Sequence, residues 1–363
     1  MSAGRPRTAI WALTPKGIRL ARAMARKLDD STLFLPEKAA AETDDAEDTV
    51  FFPRLKDEVA KRFAGFPRHV FIMAAGIVVR SIAAHLVHKT SDPAVVVCDE
   101  AGEYAVSLIA GHIGGANALA RNVARLTGGR PVITTATDVN RVPAIDLIAK
   151  ENRLAIENPD AIKAVNMALI SGTPIRVYDP GGRVTARLPR NQVVQSGTDG
   201  FSEDLAGIFV DHIHLDLPPR VLVLRPASLV AGMGCNRGTA ADEMRELLVE
   251  TFAGNHLAMR SLRALATVDV KADEAGLLEL ADALAVPLMV FTRDRLQTVG
   301  RVPTPSAMVE KHIGVQSVCE AAALLATHRG RLIVPKRKTA NATVAVAADG
   351  CISSASDPAA RST

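Results

Sequence analysis

The sequence is poor in aromatic residues, which make up 4% of its 363 residues, whereas hydrophobic residues of all kinds make up 48%. The core must therefore be built from alanine, valine, leucine and isoleucine rather than from large rings, and this composition favours closely packed α/β layers. The sequence also lacks any apolar run of about 18 residues, and the short apolar stretch near the N-terminus is broken at Thr14 and Pro15. We therefore expect neither a membrane span nor a signal peptide.

Paired cysteines and a strong net charge are absent as well. None of the four cysteines stands in a CxxC pair: they are Cys98, Cys235, Cys319 and Cys351. This spacing argues against a zinc site or a dithiol redox centre and predicts a reduced, cytoplasmic chain. Forty-three basic against 39 acidic residues leave a net charge of +4, with no basic stripe interleaved with aromatics. Nucleic-acid binding is therefore not expected, whereas a small anionic ligand would suit this charge.

Short β-branched runs alternate with amphipathic segments along the chain, which predicts parallel sheets covered by helices. The length exceeds that of a usual single core, so several domains are expected. We predict an α/β, multi-domain fold with a parallel-sheet N-terminal domain, a small central α+β domain and an α/β C-terminal domain. The predicted bounds are 1–140, 141–227 and 228–350, followed by a disordered tail at 351–363. The acidic stretch 37–48 is interpreted as a solvated loop without an assigned role.

The glycine-rich segment GMGCNRGT, residues 232–239, lies between a predicted strand and a predicted helix. Such a turn can aim backbone N–H groups at an anion, and Arg237 can add a planar fork for a carboxylate or phosphate. The spacing is not the dinucleotide fingerprint, because Arg237 stands where the third glycine belongs. A tight turn without a ligand is the alternative, with Cys235 a buried apolar residue rather than a nucleophile. The candidate binding residues are Gly232, Gly234, Cys235, Asn236, Arg237, Gly238 and Thr239, the last a predicted helix N-cap.

A second candidate segment, AGHIGGANALARNVARL, places a histidine ahead of a predicted helix. His112 could act as a general base, although a histidine that only bonds a loop carbonyl remains the alternative. The run PVITTATD predicts a strand, and residues at the carboxyl ends of parallel strands line ligand crevices. The candidates here are His112, Gly114, Gly115, Asn117, Thr134, Thr135 and Asp138, with Glu103 in an upstream carboxylate cluster beside Asp99 and Glu100.

A third candidate segment is TVDVKADEAGLLELA, in which Lys271 and Glu274 flank a predicted helix start. A lysine and a carboxylate three residues apart can face one crevice and act as a pair. The alternative is purely structural, because Asp273 as N-cap followed by a glutamate explains the same pattern.

These segments, together with PSAMVEKHIGVQSVCEAAAL and VPKRKTANATVAVA, closely resemble the CbiG family of cobalamin-biosynthesis proteins, most clearly from Arg68 to Ala347. The resemblance implies three domains, the last shared with small CobE-type proteins. It also implies cobalt-precorrin-5A hydrolase activity, in which water opens the δ-lactone of a cobalt tetrapyrrole and acetaldehyde is lost to give cobalt-precorrin-5B. It further implies His112 as general base oriented by Glu103 or Asp138, with Lys271 and Glu274 as a second candidate pair.

The same resemblance implies no added cofactor or metal, because the cobalt arrives with the substrate. The expected partner is the cobalt corrinoid, without nucleic acid or membrane; a homodimer and transient contacts with neighbouring pathway enzymes are compatible with it. Two rival functions remain open at this point. One is a non-catalytic carrier of corrinoid intermediates, and the other is a nucleotide-dependent oxidoreductase, against which the glycine spacing argues.

Overall fold

The computed structural model describes residues 7–28, 30–42, 48–88, 91–300, 302–304 and 317–350. This described part contains three β-sheets of seven, five and five strands. The chain divides into two compact units, Met1–Leu147 and Ile148–Thr363. The predicted disordered tail and residues 43–47 of the predicted acidic loop lie outside the described residues.

The first unit is built on the seven-stranded sheet, in the order β3-β2-β1-β4-β5-β6-β7. Strands β1 to β5 are parallel, as the alternating pattern predicts. Its strands are β1 Thr8–Ala12, β2 Ser31–Pro36, β3 Thr49–Phe52, β4 Arg68–Ile72, β5 Ala94–Cys98, β6 Tyr104–Ile109 and β7 Arg130–Val132. Its helices are α1 Pro15–Ala25, α2 Leu55–Arg62, α3 Ala75–Ile82, α4 Ala116–Thr127, α5 Ala136–Val139 and α6 Ile145–Glu151, the last running into the second unit.

Helices cover both faces of this sheet, which is why β1 and β5 are buried along their whole length. On one face, α1 and α4 pack on an aliphatic cluster that includes Ile10 and Val96. On the other face, α2 and α3 pack on the cluster that contains most of this unit's aromatic rings, with Trp11 stacked on Phe34 and Phe71. Alternate residues of each strand therefore supply two separate cores.

The strand direction reverses at β6, which the helix–strand alternation did not predict. Strand β6 pairs antiparallel with β5, and β7 pairs parallel with β6. The reason is a tight turn in which the Asp99 carboxylate accepts hydrogen bonds from the backbone N–H groups of Ala101, Glu103 and Tyr104. A hairpin thus replaces the expected crossover. The carboxyl ends of β6 and β7 consequently lie at the edge where β1 to β5 begin.

The central sheet, in the second unit, has the order β10-β9-β11-β12-β8 and is parallel except for β8. Helix α7, Ala161–Ser171, packs against it. Fully buried Arg225 forms an ion pair with Glu157 and donates to the backbone carbonyls of Asp211 and Ile213, so its charge is compensated inside the unit. The strands are β8 Leu154–Ile156, β9 Ile175–Tyr178, β10 Val193–Gln195, β11 Gly207–Val210 and β12 Val221–Pro226.

The third sheet, in the order β15-β14-β13-β17-β16, combines three parallel strands with an antiparallel closing pair. Two helices, α8 and α9, supply apolar side chains to one face, and α10 and α11 supply them to the other. The strands are β13 Leu229–Cys235, β14 Leu262–Val268, β15 Leu288–Phe291, β16 Arg331–Lys338 and β17 Ala342–Ala348. The helices are α8 Ala241–Gly254, α9 Ala275–Ala283, α10 Arg293–Gln297 and α11 Val318–Ala326.

The predicted fold class, a multi-domain α/β chain with a parallel N-terminal sheet, is confirmed. The predicted boundaries after residues 140 and 227 stay predictions. Among the residues described above, no helix is long and apolar enough to cross a membrane.

Candidate functional site

His112 lies in a tightly wound loop between β6 and α4. Ala110 has a positive φ of 56°, and Gly115, the residue before α4, has a φ of 92°. A Cβ added to Gly114 would lie 2.4 Å from the Cβ of Ala110, so this position needs glycine. The Ala110 carbonyl accepts the first N–H of α4, from Ala116, at 3.1 Å. The loop therefore holds the imidazole in place through its backbone.

Two carboxylates flank the His112 imidazole. Its Nε2 lies 3.0 Å from Asp138 Oδ2 and 3.0 Å from the Thr137 hydroxyl. Its Nδ1 lies 3.7 Å from Asp146 Oδ2. The histidine side chain is 17% exposed, so solvent and ligands still reach it. An imidazole oriented by a carboxylate is one arrangement that serves general acid–base catalysis.

Asp138 receives hydrogen bonds from four side chains. Its Oδ2 accepts from the Thr135 hydroxyl at 2.6 Å, from the Asn117 amide at 2.9 Å and from His112, while its Oδ1 accepts from Arg121. Burial raises the pKa of Asp138, but the hydrogen bonds from Thr135, Arg121 and His112 outweigh it and hold the pKa below its ordinary value. Asp138 is therefore an ionised, acceptor-only partner that orients the histidine.

The structure brings only some of the sequence candidates to His112. Asn117, Thr135 and Asp138 are in its network, whereas Thr134 is exposed and has no described contact with it. Glu103 is not a partner of the imidazole. It precedes β6, while His112 follows the opposite end of the same strand, so the length of β6 separates the two side chains. The orienting position predicted for Glu103 or Asp138 is filled by Asp138.

The same network also contains three residues that the sequence patterns did not indicate, Arg121, Thr137 and Asp146. Arg121 follows Asn117 by four residues on α4, so the helical period could have identified it. No comparable pattern marks Asp146, which stands at the start of α6 and reaches His112 only through the fold.

The carboxylates before β6 belong to a different place. A cavity of about 500 Å³ lies at the carboxyl ends of β1, β4 and β5, and Asp99 and Glu100 are among its lining residues. Glu100 accepts a hydrogen bond from Thr14 at 2.6 Å, and the Thr14 hydroxyl also caps α1 by accepting from Gly17 N–H. These carboxylates therefore lie at the opposite edge of the sheet from His112.

The glycine-rich segment has a different local structure from the predicted turn. Gly232 and Gly234 lie inside β13, paired with β17, and only Gly238 has the positive φ of a turn, 76°. The prediction that Thr239 caps the following helix is wrong. Its hydroxyl instead donates to the Asn236 carbonyl at 2.9 Å, and α8 begins after Ala240, which has no capping side chain.

The polar groups of this segment are partnered within the chain. Arg237 pairs with Asp273 at 2.8 Å, and Glu274 accepts from Gly238 N–H at 2.7 Å and lies 3.3 Å from the Lys271 ammonium. The Gly238 N–H lowers the pKa of Glu274 below its ordinary value against the effect of burial, with Lys271 and Arg237 adding to it. Glu274 thus occupies the anion position of the turn.

Two other candidates in this segment show no activation. Burial raises the pKa of the Cys235 thiol, which disfavours the thiolate that a nucleophile needs. The Asn236 amide donates to the Asn341 side chain at 3.2 Å.

The described residues hold no cluster of three or more His, Cys, Asp or Glu arranged to bind a metal ion.

These observations define a three-sheet α/β protein whose first unit holds a histidine beside two aspartates. Comparisons with known proteins match successive segments of the chain between residues 57 and 347. Three family descriptions match: Cobalamin synthesis G N-terminal at residues 57–138, Cobalamin biosynthesis central region at 143–226, and Cobalamin synthesis G C-terminus at 229–347.

Three relatives extend this result. Cobalt-precorrin-5A hydrolase of Priestia megaterium is 32% identical over 355 residues, 93% of this chain and 94% of the relative. The protein of the same name from Salmonella typhimurium is 34% identical over 337 residues, 90% and 93% of the two chains. Protein CobE of Sinorhizobium sp is 37% identical over 123 residues, 33% of this chain and 80% of that one. The chain belongs to the cobalamin synthesis G family and is a hydrolase of cobalamin biosynthesis.

Proposed function

We propose that this chain is a cobalt-precorrin-5A hydrolase, which opens the δ-lactone of its substrate with water and releases acetaldehyde to give cobalt-precorrin-5B. Two relatives that carry this name align over at least nine-tenths of each chain, which supports the same substrate for this protein. The single structural observation that carries the proposal is the His112 imidazole held by Asp138 at 3.0 Å, since lactone hydrolysis needs a positioned base.

In the first step, His112 takes a proton from water as the water oxygen bonds to the lactone carbonyl carbon. The ring C–O bond then breaks, and the departing alkoxide receives the proton from the imidazolium. Asp138 keeps the ring oriented and stabilises its positive charge in between. Backbone N–H groups of the loop at Gly114 and Gly115 are the candidates for binding the transient oxyanion.

In the second step, the freed hydroxyl loses its proton, its C–O bond becomes a carbonyl, and the adjacent carbon–carbon bond breaks. Acetaldehyde leaves, and the electron pair remains on the conjugated macrocycle, which takes up a proton. No further cofactor is needed in this scheme, because the cobalt belongs to the substrate. The scheme involves neither nucleic acid nor membrane, and we place the reaction in the cytoplasm.

The experiment is the release of acetaldehyde from purified cobalt-precorrin-5A. We expect turnover by the wild-type chain, and a kcat lower by about 100-fold or more in His112→Ala with KM little changed, because a general base contributes at least this factor. His328→Ala, which removes an exposed imidazole in the other unit, is the matched control and should keep full activity.

Two results would contradict this assignment. A wild-type protein that binds the corrinoid but releases no aldehyde above background would support the carrier function instead. Full turnover by His112→Ala would exclude this histidine from the reaction.

A further inference from the structure

Asp146 is a buried carboxylate that the proposed reaction has not yet used. It stands in the first turn of α6 and is 7% exposed. Its Oδ1 atom is buried and has no hydrogen-bond partner among the residues that the structure describes. A buried polar atom without a partner costs free energy, so Asp146 adds no evident stability through this oxygen. The other oxygen of the carboxylate, Oδ2, faces the His112 ring.

Asp138 contacts the other nitrogen of the His112 ring, and this contact determines which of the two nitrogens can accept a proton. Asp138 is fully hydrogen-bonded and has a lowered pKa, so it is an acceptor only. His112 must therefore carry a hydrogen on Nε2, the atom 3.0 Å from Asp138. In the neutral ring, Nδ1 then presents a lone pair, and Asp146 Oδ2 lies 3.7 Å from this atom.

His112 Nδ1 and Asp146 Oδ2 are both hydrogen-bond acceptors, so they cannot bond to each other across 3.7 Å. A third group must donate a hydrogen bond to each of them. A direct hydrogen bond would need about 2.7–3.2 Å, and neither atom carries a hydrogen to offer. A water molecule has two O–H groups and can donate one to Nδ1 and the other to the Asp146 carboxylate. Its oxygen lone pairs then point away from both groups, which is the orientation of an attacking nucleophile.

We propose that Asp146 and His112 together bind the attacking water, which makes Asp146 a further catalytic residue. This inference rests on the proposed hydrolase function. When the water oxygen bonds to the lactone carbonyl carbon, its proton moves to His112 Nδ1 and its second hydrogen stays bonded to Asp146. The imidazolium then lies between two carboxylates, one at each nitrogen. Asp138 acts only through the ring and is a positioning residue.

The first test compares Asp146→Asn with Glu151→Gln. Both remove a carboxylate charge from α6, but Glu151 is 45% exposed and pairs with Arg187 outside the site. We expect kcat of Asp146→Asn to fall about 100-fold with KM changed less than about threefold, while Glu151→Gln keeps wild-type kcat. A kcat of Asp146→Asn within about threefold of wild type would overturn the proposal.

Thermal unfolding separates this role from a structural one. Because Asp146 Oδ1 has no partner to lose, we expect the Tm of Asp146→Asn to stay within about 2 °C of wild type or to rise. A structural aspartate would instead lose activity and stability together. A Tm lower by about 6 °C or more would assign Asp146 to the fold and contradict a catalytic role.

A third measurement does not depend on turnover. In ¹⁵N-histidine NMR spectra recorded at pH 8, His112 should show hydrogen on Nε2 and none on Nδ1. If the wild type shows this tautomer but releases no acetaldehyde, the proposed function fails, while the Nδ1 lone pair that the water site requires is present. If the wild type releases acetaldehyde but carries hydrogen on Nδ1, the water site is overturned and the hydrolase function stands.

Discussion

At the residue scale, two histidines of the first unit show how differently one side chain is used. His112 keeps access to solvent and touches Asp138, whereas His69 is completely buried beneath aromatic rings. The Nδ1 of His69 accepts from the Trp11 indole at 3.2 Å, and its Nε2 donates to the Phe63 carbonyl at 3.0 Å. Both nitrogens are satisfied, so this imidazole belongs to the core and is held neutral.

Burial therefore lowers the pKa of His69 from its ordinary 6.5 to about 4. The folded protein favours the neutral ring, so its stabilising contribution is complete above pH 6.5 and is lost as the pH falls through 4. The difference between the two pKa values corresponds to about 3 kcal/mol. We expect the free energy of unfolding of wild type to fall by about this much more than that of His69→Gln between pH 7 and pH 4.

Urea unfolding at the two pH values measures this difference in the free energy of unfolding. Carboxylates that titrate in both proteins contribute equally, so their contribution cancels in the comparison. Equal losses in the two proteins would show that His69 is not held neutral in the folded state.

At the element scale, close packing between elements requires glycine at positions 232 and 276. A Cβ on Gly232 would lie 1.8 Å from the Cys319 carbonyl oxygen, so α11 packs directly on the backbone of β13. A Cβ on Gly276 would likewise lie 2.2 Å from the Thr239 carbonyl oxygen, which lets the start of α9 approach the turn. Close approach of helix to strand is thus the first reason for glycine here.

A series of Gly→Ala changes separates steric packing from backbone strain as the reason for glycine. Gly232→Ala should destabilise the protein by about 3 kcal/mol, because the new methyl group must push α11 away. Gly238→Ala should cost about 1 kcal/mol, since nothing lies within 4 Å of its Cβ and only the positive φ is strained.

Gly254→Ala is the matched control and should stabilise α8 by about 0.5 kcal/mol, because its Cβ meets nothing and its φ is ordinary. Chemical denaturation ranks the three variants. Similar losses for Gly232→Ala and Gly238→Ala would refute packing as the cause at Gly232.

At the scale of the whole molecule, the third sheet has an apolar core on each of its faces. Two apolar clusters cover its faces, one under α8 and α9 and the other under α10 and α11. The C-terminal family description matches residues 229–347, and a separate CobE chain aligns with 123 residues of this protein. We therefore expect a fragment of residues 228–350 to fold independently, with a cooperative thermal transition in circular dichroism. A fragment that melts without a cooperative transition would contradict this expectation.

The sequence by itself determined the elements whose pattern is local. The apolar runs of β1 and β5 and the amphipathic period of α1 predicted a parallel α/β sheet, because alternation along a few residues records which faces are buried. The segment around His112 likewise predicted a histidine presented before a helix, with Asn117 and Asp138 as candidates nearby.

Tertiary structure alone decided which of these groups meet. The hairpin at Asp99 made β6 antiparallel to β5, which placed His112 at the edge opposite the carboxyl ends of β1 to β5. The Arg237 guanidinium, which the sequence predicted to bind a ligand, is instead paired with Asp273. Asp146 came beside His112 although 34 positions separate them in the chain. Such contacts depend on strand direction and on packing between distant segments, and no pattern within either segment contains that information.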